Sequence, residues 1–252
     1  MNIWGVDREQ REGVRTYRSK VREEQARLTR RRILVAAAEE FRTSGYGGTT
    51  MRAIAASAGV SVPTVELAFA TKAALLKAAI DVAIAGDDAP LPVLDREWAA
   101  RATRITDVGE LLDVVVAVLT AAQERSAGLV TAVLDPGTPA ELAGLADQLV
   151  SQRERTAAWL VDRIAAVAPL RSELARSDAV ETVWLLMDPA LFVRLVRHRG
   201  WDPSRYRAWV ARSLRHLLLP DAANPTPADP TPADPAQPDP GRLEELDELE
   251  EE

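Results

Sequence analysis

Between Gln25 and Phe41 the apolar residues Ile33, Ala37 and Phe41 recur every four positions, with Leu34 and Ala38 beside them. That spacing predicts one apolar face of an α-helix, and Ser44-Gly45 predicts its end. Thr50 is placed to cap a short helix through Ala58, with Ile54 and Ala55 inward. Gly59 turns the chain, Ser61 caps a third helix, and Thr71 caps a fourth that runs to about Ile84. Further on, three apolar sets repeat at helical spacing. They are Leu142, Leu145, Leu149, Leu160 and Ile164; Val180, Val183, Met187, Leu191 and Leu195; and Tyr206, Trp209, Val210, Leu214 and Leu217. Thr138 to Glu141 and Asp178 with Glu181 have the spacing of capping boxes, and Asp202-Pro203 opens a helix that reaches Leu218. No segment alternates with the period of two that a half-buried strand requires. The pattern predicts an all-α chain.

The pattern stops after Leu219. Residues 220 to 240 hold 8 of the 16 prolines, and GRLEELDELEEE follows. Proline at that density rules out helix and sheet, and little apolar area remains to offset ordering. Residues 220–252 are expected to be a disordered, acidic tail.

Charge divides the chain further. The net charge of -7 is the sum of +6 over residues 1–78, -3 over 79–220 and -10 over the tail. A basic head on an acidic chain suits a nucleic-acid-binding module, although a solvated Arg-rich helix face has the same signature. With no Cys, a disulfide framework and a thiolate metal site are excluded. The longest stretch free of charged side chains, residues 53–65, is too short to span a membrane. MNIWGVDREQREG has no apolar core of the signal-peptide type. A cytoplasmic location is the expectation.

The second and third helices meet in a helix-turn-helix pattern. A small residue where the helices touch, a turn residue that tolerates positive φ and an apolar lock are supplied by Ala55, Gly59 and Val60. Residues 45–75, GYGGTTMRAIAASAGVSVPTVELAFATKAAL, resemble the DNA-binding domain of the tetracycline-repressor (TetR) family. The matching positions are Gly45, Tyr46, Thr49, Thr50, Ile54, Ala55, Ala58, Gly59, Val60, Ser61, Thr64, Phe69, Thr71, Lys72, Ala74 and Leu75. The resemblance implies an arm at 1–24, flexible and charged, and a three-helix DNA-binding domain at 25–72. It further implies a larger helical-bundle domain at 73–219 for effector binding and dimerisation.

It also implies roles. Thr49 and Thr50 open the second helix, where free amides can meet a phosphate. Lys72 would contact phosphate as a point charge. Ser61, Val62, Pro63 and Thr64 form the turn of the third helix that approaches base edges, with Glu66 and Leu67 next on that helix. Arg27, Arg30, Arg31 and Arg32 would reach along the backbone or into a minor groove. Two positions depart from the family: Glu66 stands where Tyr is frequent, and Ala68 where an aromatic or His is frequent. A phosphate would repel Glu66.

In the second domain, Trp98, Trp159, Trp184, Met187 and Phe192 are candidates to line an effector pocket, with core packing as the alternative for each. Pro189 inside a helical run is a place for a kink and a cavity. His198 and His216 form neither a metal cluster nor a triad, and no Gly-rich phosphate loop is present. No metal, cofactor or enzymatic activity is expected. The expected partners are a palindromic double-stranded DNA operator, a small-molecule effector and a second copy of the chain. Two readings stand: an effector-released homodimeric repressor, and a helical interaction protein whose helix-turn-helix no longer binds DNA.

Overall fold

A computed structural model describes the backbone of residues 6–221, except 90 and 136, and side chains from residue 22 onward. All regular structure among the described residues is helical. From residue 222 on, the expected disordered tail lies outside them.

The first helix, α1, spans Val6–Gly48. It begins inside the stretch expected to be a flexible arm, so the expected start near Gln25 is corrected: continuous helical backbone feeds into the head from much further upstream. Gly45 breaks its regularity at φ 65, ψ 176, where Ser44-Gly45 was expected to end the helix. Then come α2 (Met51–Ala58), α3 (Val62–Phe69) and α4 (Lys72–Ala85). Each opens on a side chain that accepts from the amide three residues on: Thr50 from Ala53, Ser61 from Thr64, Thr71 from Ala74. Each such cap stabilises its helix by ~1 kcal/mol. Gly59, at φ 65, donates to the Ala56 carbonyl while Val60 donates to Ala55, a Schellman closure that turns the chain sharply into α3.

The second domain holds α5 (Glu97–Ala102), α6 (Val108–Leu134), α7 (Ala143–Val167), α8 (Arg176–Leu186), α9 (Pro189–Phe192) and α10 (Pro203–Leu218). Asp202 caps α10 as its sequence predicts. The other two predicted capping boxes do not form. Thr138 donates its hydroxyl to the Ala132 carbonyl instead, and α7 starts later through a short 3-10 turn. At the other site the helix already begins at Arg176, upstream of Asp178, with no side-chain cap. The helical run that carries Val180 to Leu195 is divided at Pro189, where a kink is expected. Asp188 caps a new helix at Pro189, and a wider π turn over Val193–His198 follows it.

Two apolar cores result. One joins Ile33, Phe41, Ile54, Phe69 and Ile80 of the head to Leu129, Val133 and Leu149 of α6 and α7. The other gathers Leu112, Leu160, Val183, Phe192, Tyr206 and Leu214. Helix α6 is long and apolar enough to cross a membrane by composition alone, yet it contributes side chains to both cores. Helix α4 packs on both α1 and α6, so the head is carried on the second domain through a shared apolar contact.

Candidate nucleic-acid interface and effector cavity

On α3, Val65 and Phe69 are buried, which turns Pro63, Glu66 and Leu67 outward at helical spacing. Leu67 is 90% exposed. Ser61 is exposed and Thr64 half-buried, and their hydroxyl oxygens lie 2.8 Å apart, so the two polar groups nearest the helix start are already hydrogen-bonded to each other. Val62 is half-buried against the head core.

The expected phosphate-facing groups divide into two kinds. Arg31 and Arg32 are exposed on α1. Thr50 is exposed at the start of α2, where the first-turn amides have no partner in the helix ladder. Thr49 is corrected: it is 1% exposed, its hydroxyl donates inward to the Gly45 and Glu40 carbonyls, and its amide donates to Gly45. It braces the turn and presents nothing outward. Arg30 is engaged too, donating to the Ala68 carbonyl with its guanidinium 4.2 Å from the Phe69 ring centre. Arg27 pairs with Glu24 and lies 3.6 Å from Asp88. Lys72 donates to the Tyr46 and Thr49 carbonyls and sits 4.1 Å over the Tyr46 ring, leaving one of its three donor hydrogens. A residue that sequence reasoning passed over is Arg52, exposed in the first turn of α2 beside Thr50. Its position two residues after the cap was the available signal.

In the second domain a cavity of about 140 Å³ lies among the end of α4, the 86–96 connection, α6, α7 and the α8–α9 break. Of the aromatic set, Trp98 lines it, together with Met187 and Pro189. Trp159 instead packs edge-on against Trp98 at 5.5 Å, Trp184 lies under the Arg153 guanidinium, and Phe192 meets Tyr206 in the core. The wall also carries Gln123, whose amide donates to the Met187 carbonyl at the helix break. Burial pushes the neighbouring Tyr206 phenol up to about 12. Arg125 lines the cavity while donating to the Ala83 and Ile84 carbonyls, the C-terminal acceptors of α4. These wall residues come from elements far apart in the chain, which is why an aromatic inventory found only part of them.

The head is a capped helix-turn-helix, held on a helical body that carries a partly open cavity. Residues 33–79 match the family of bacterial regulatory proteins, tetR family. The fold is similar to the transcriptional regulator FadR from Bacillus subtilis, solved in complex with stearoyl-CoA, at 16% identity and a TM-score of 0.58 over 73% of this chain and 96% of that one. It is also similar to NalD, the secondary repressor of the MexAB-OprM multidrug efflux pump in Pseudomonas aeruginosa (21% identity, TM-score 0.58, 79% and 99% covered). A third is a TetR transcriptional regulator from Chloroflexus aurantiacus (19% identity, TM-score 0.52, 77% and 98% covered). At these identities the likeness concerns the fold. No curated protein matches the chain.

Proposed function

We propose that the chain is a homodimeric transcriptional repressor in the cytoplasm that binds a two-fold DNA operator and leaves it when a small molecule fills the cavity. The observation that carries this reading is the cavity's position: Ile84 and Ala85, the last turn of α4, form part of its wall. Helix α4 is also the helix that packs against α1 in the head. An occupant that shifts α4 therefore moves the head, and ligand and DNA affinities become reciprocally coupled. Arg31, Arg32, Arg52, the Thr50 turn and the remaining Lys72 hydrogen supply the phosphate contacts, with Ser61, Pro63, Thr64 and Leu67 at the base edges. Dimerisation is supported by Leu185 of α8 and Leu217 of α10, which are 61% and 51% exposed on two helices that pack together. Fluorescence anisotropy of the full-length protein on DNA upstream of its own coding region tests the reading. Sequence-selective binding is expected, and binding no tighter than to scrambled DNA overturns it.

One observation favours the interaction-protein reading. The outward stripe of α3, Pro63, Glu66 and Leu67, offers no side-chain donor to DNA. Loss of DNA binding with a retained dimer would select it.

A further inference from the structure

Among the residues lining the cavity, the charged ones are Arg96, Arg125 and Arg153, and no carboxylate is among them. Arg125 donates through Nε and Nη2 to the end of α4. The other two each keep a buried N–H without an acceptor. Arg153 is 11% exposed at its side chain, stacked 3.9 Å over the Trp184 ring, with Nη1 3.0 Å from Asp188 Oδ2. That approach has ion-pair distance without hydrogen-bond alignment, and both Nε and Nη1 of Arg153 are buried with no hydrogen-bond acceptor. Asp188 is itself committed, since its other oxygen caps α9 by accepting from Ala190. Arg96 donates to Asp87 and to the Ala89 carbonyl, but its Nε is likewise buried and unfilled. Buried N–H groups on a cation are costly to leave without an acceptor. The rest of the wall is apolar, with Val118, Leu119, Val130, Leu134 and Leu149.

Resting on the sensor reading above, we propose that the effector is a small amphipathic organic acid. Its hydrocarbon part fills the apolar wall, and its anionic head accepts from Arg153, with Arg96 as the second donor. Size narrows the class, because an apolar cavity of about 150 Å³ holds roughly one benzene ring. A single ring or a short alkyl chain carrying a carboxylate fits this volume. Three guanidiniums on one wall disfavour a cation, and for a cationic donor a neutral amide oxygen is a weaker acceptor than a carboxylate.

The test uses the full-length protein and three probes of matched shape: phenylacetate, phenylacetamide and phenethylamine. Binding is followed by tryptophan fluorescence and by the rise in melting temperature. Phenylacetate is expected to bind at least about tenfold more tightly than the amide, the value of one charge-assisted interaction, with the amine weakest. Arg153→Met should remove most of the preference for the acid over the amide. If Arg153→Met fails to fold, Arg96→Met should reduce the preference for the acid in the same direction. Equal affinity for acid and amide, tighter binding of the amine, or no binding of any probe overturns the proposal. The sensor reading is judged separately, by DNA affinity with and without phenylacetate. Acid-selective binding that leaves DNA affinity unchanged refutes the sensor and keeps the ligand class. A change in DNA affinity driven equally by acid and amide does the reverse.

Discussion

Lys72 Nζ lies 2.9 Å from the Tyr46 carbonyl oxygen, joining the first turn of α4 to the end of α1 across 26 residues of chain. A second bond to the Thr49 carbonyl and the Tyr46 ring beneath it complete the site. Lys72→Ala is therefore expected to do two things. It should lower the stability of the fold by about 1–3 kcal/mol, since hydrogen bonds to a charged group are lost and carbonyls are left unpaired. It should also weaken binding to all DNA sequences alike. Denaturant unfolding with paired anisotropy titrations checks both, and an unchanged midpoint would remove the structural role.

Glu66 is exposed on the outward stripe of α3, and among the described residues no cation is paired with it. Repulsion from phosphate is then its main effect on binding. Glu66→Ala should tighten binding to every sequence by a few-fold, on the order of 1 kcal/mol for charges near water. A binding-site selection run on both proteins decides: a relaxed preference at one base pair would instead make Glu66 a reader of a cytosine amino group.

Arg52 stands beside the Thr50 cap and is exposed. Its substitution by Ala should lower affinity uniformly and reduce the slope of log affinity against log salt by about 1 per head. Arg30→Ala should leave that slope nearly unchanged, because its guanidinium is held by the Ala68 carbonyl and the Phe69 ring. Equal slopes for the two variants would show that the assignment is wrong.

Ala70, at φ 57 and ψ -52, is the one described non-glycine residue with positive φ. Thr71 donates to the Phe69 carbonyl across it at 2.6 Å, so it is the centre of a strained γ-turn between α3 and α4. Glycine adopts this conformation without the Cβ clash, and Ala70→Gly should raise stability by about 1 kcal/mol despite the added freedom of the unfolded chain. A lower melting temperature would show that the entropy loss outweighs the relieved strain.

Leu185 and Leu217 expose apolar surface on α8 and α10. Replacing both with Glu should convert a dimer at micromolar concentration into a monomer, because each copy would place a charge in the apolar face of the other. Sedimentation velocity is the measurement. A monomeric parent protein would overturn the dimer itself.

The elements of the head were legible in the sequence because the information that sets them is local. Thr50, Ser61 and Thr71 each cap through an amide three residues on, and Gly59 closes α2 through carbonyls within four residues. The same locality misled at Thr138, where a carbonyl six residues back took the hydroxyl. The sequence by itself thus determined the helical class, the helix-turn-helix and its register. Which cations remain available to DNA was decided by pairs 26 and 38 residues apart, Lys72 with Tyr46 and Arg30 with Ala68. The cavity likewise depends on Gln123 meeting Met187 across 64 residues, at a helix break. Capping and periodicity act within a turn of chain, whereas the satisfaction of buried donors depends on which distant carbonyl or ring the packing brings near. Only the tertiary structure supplies that.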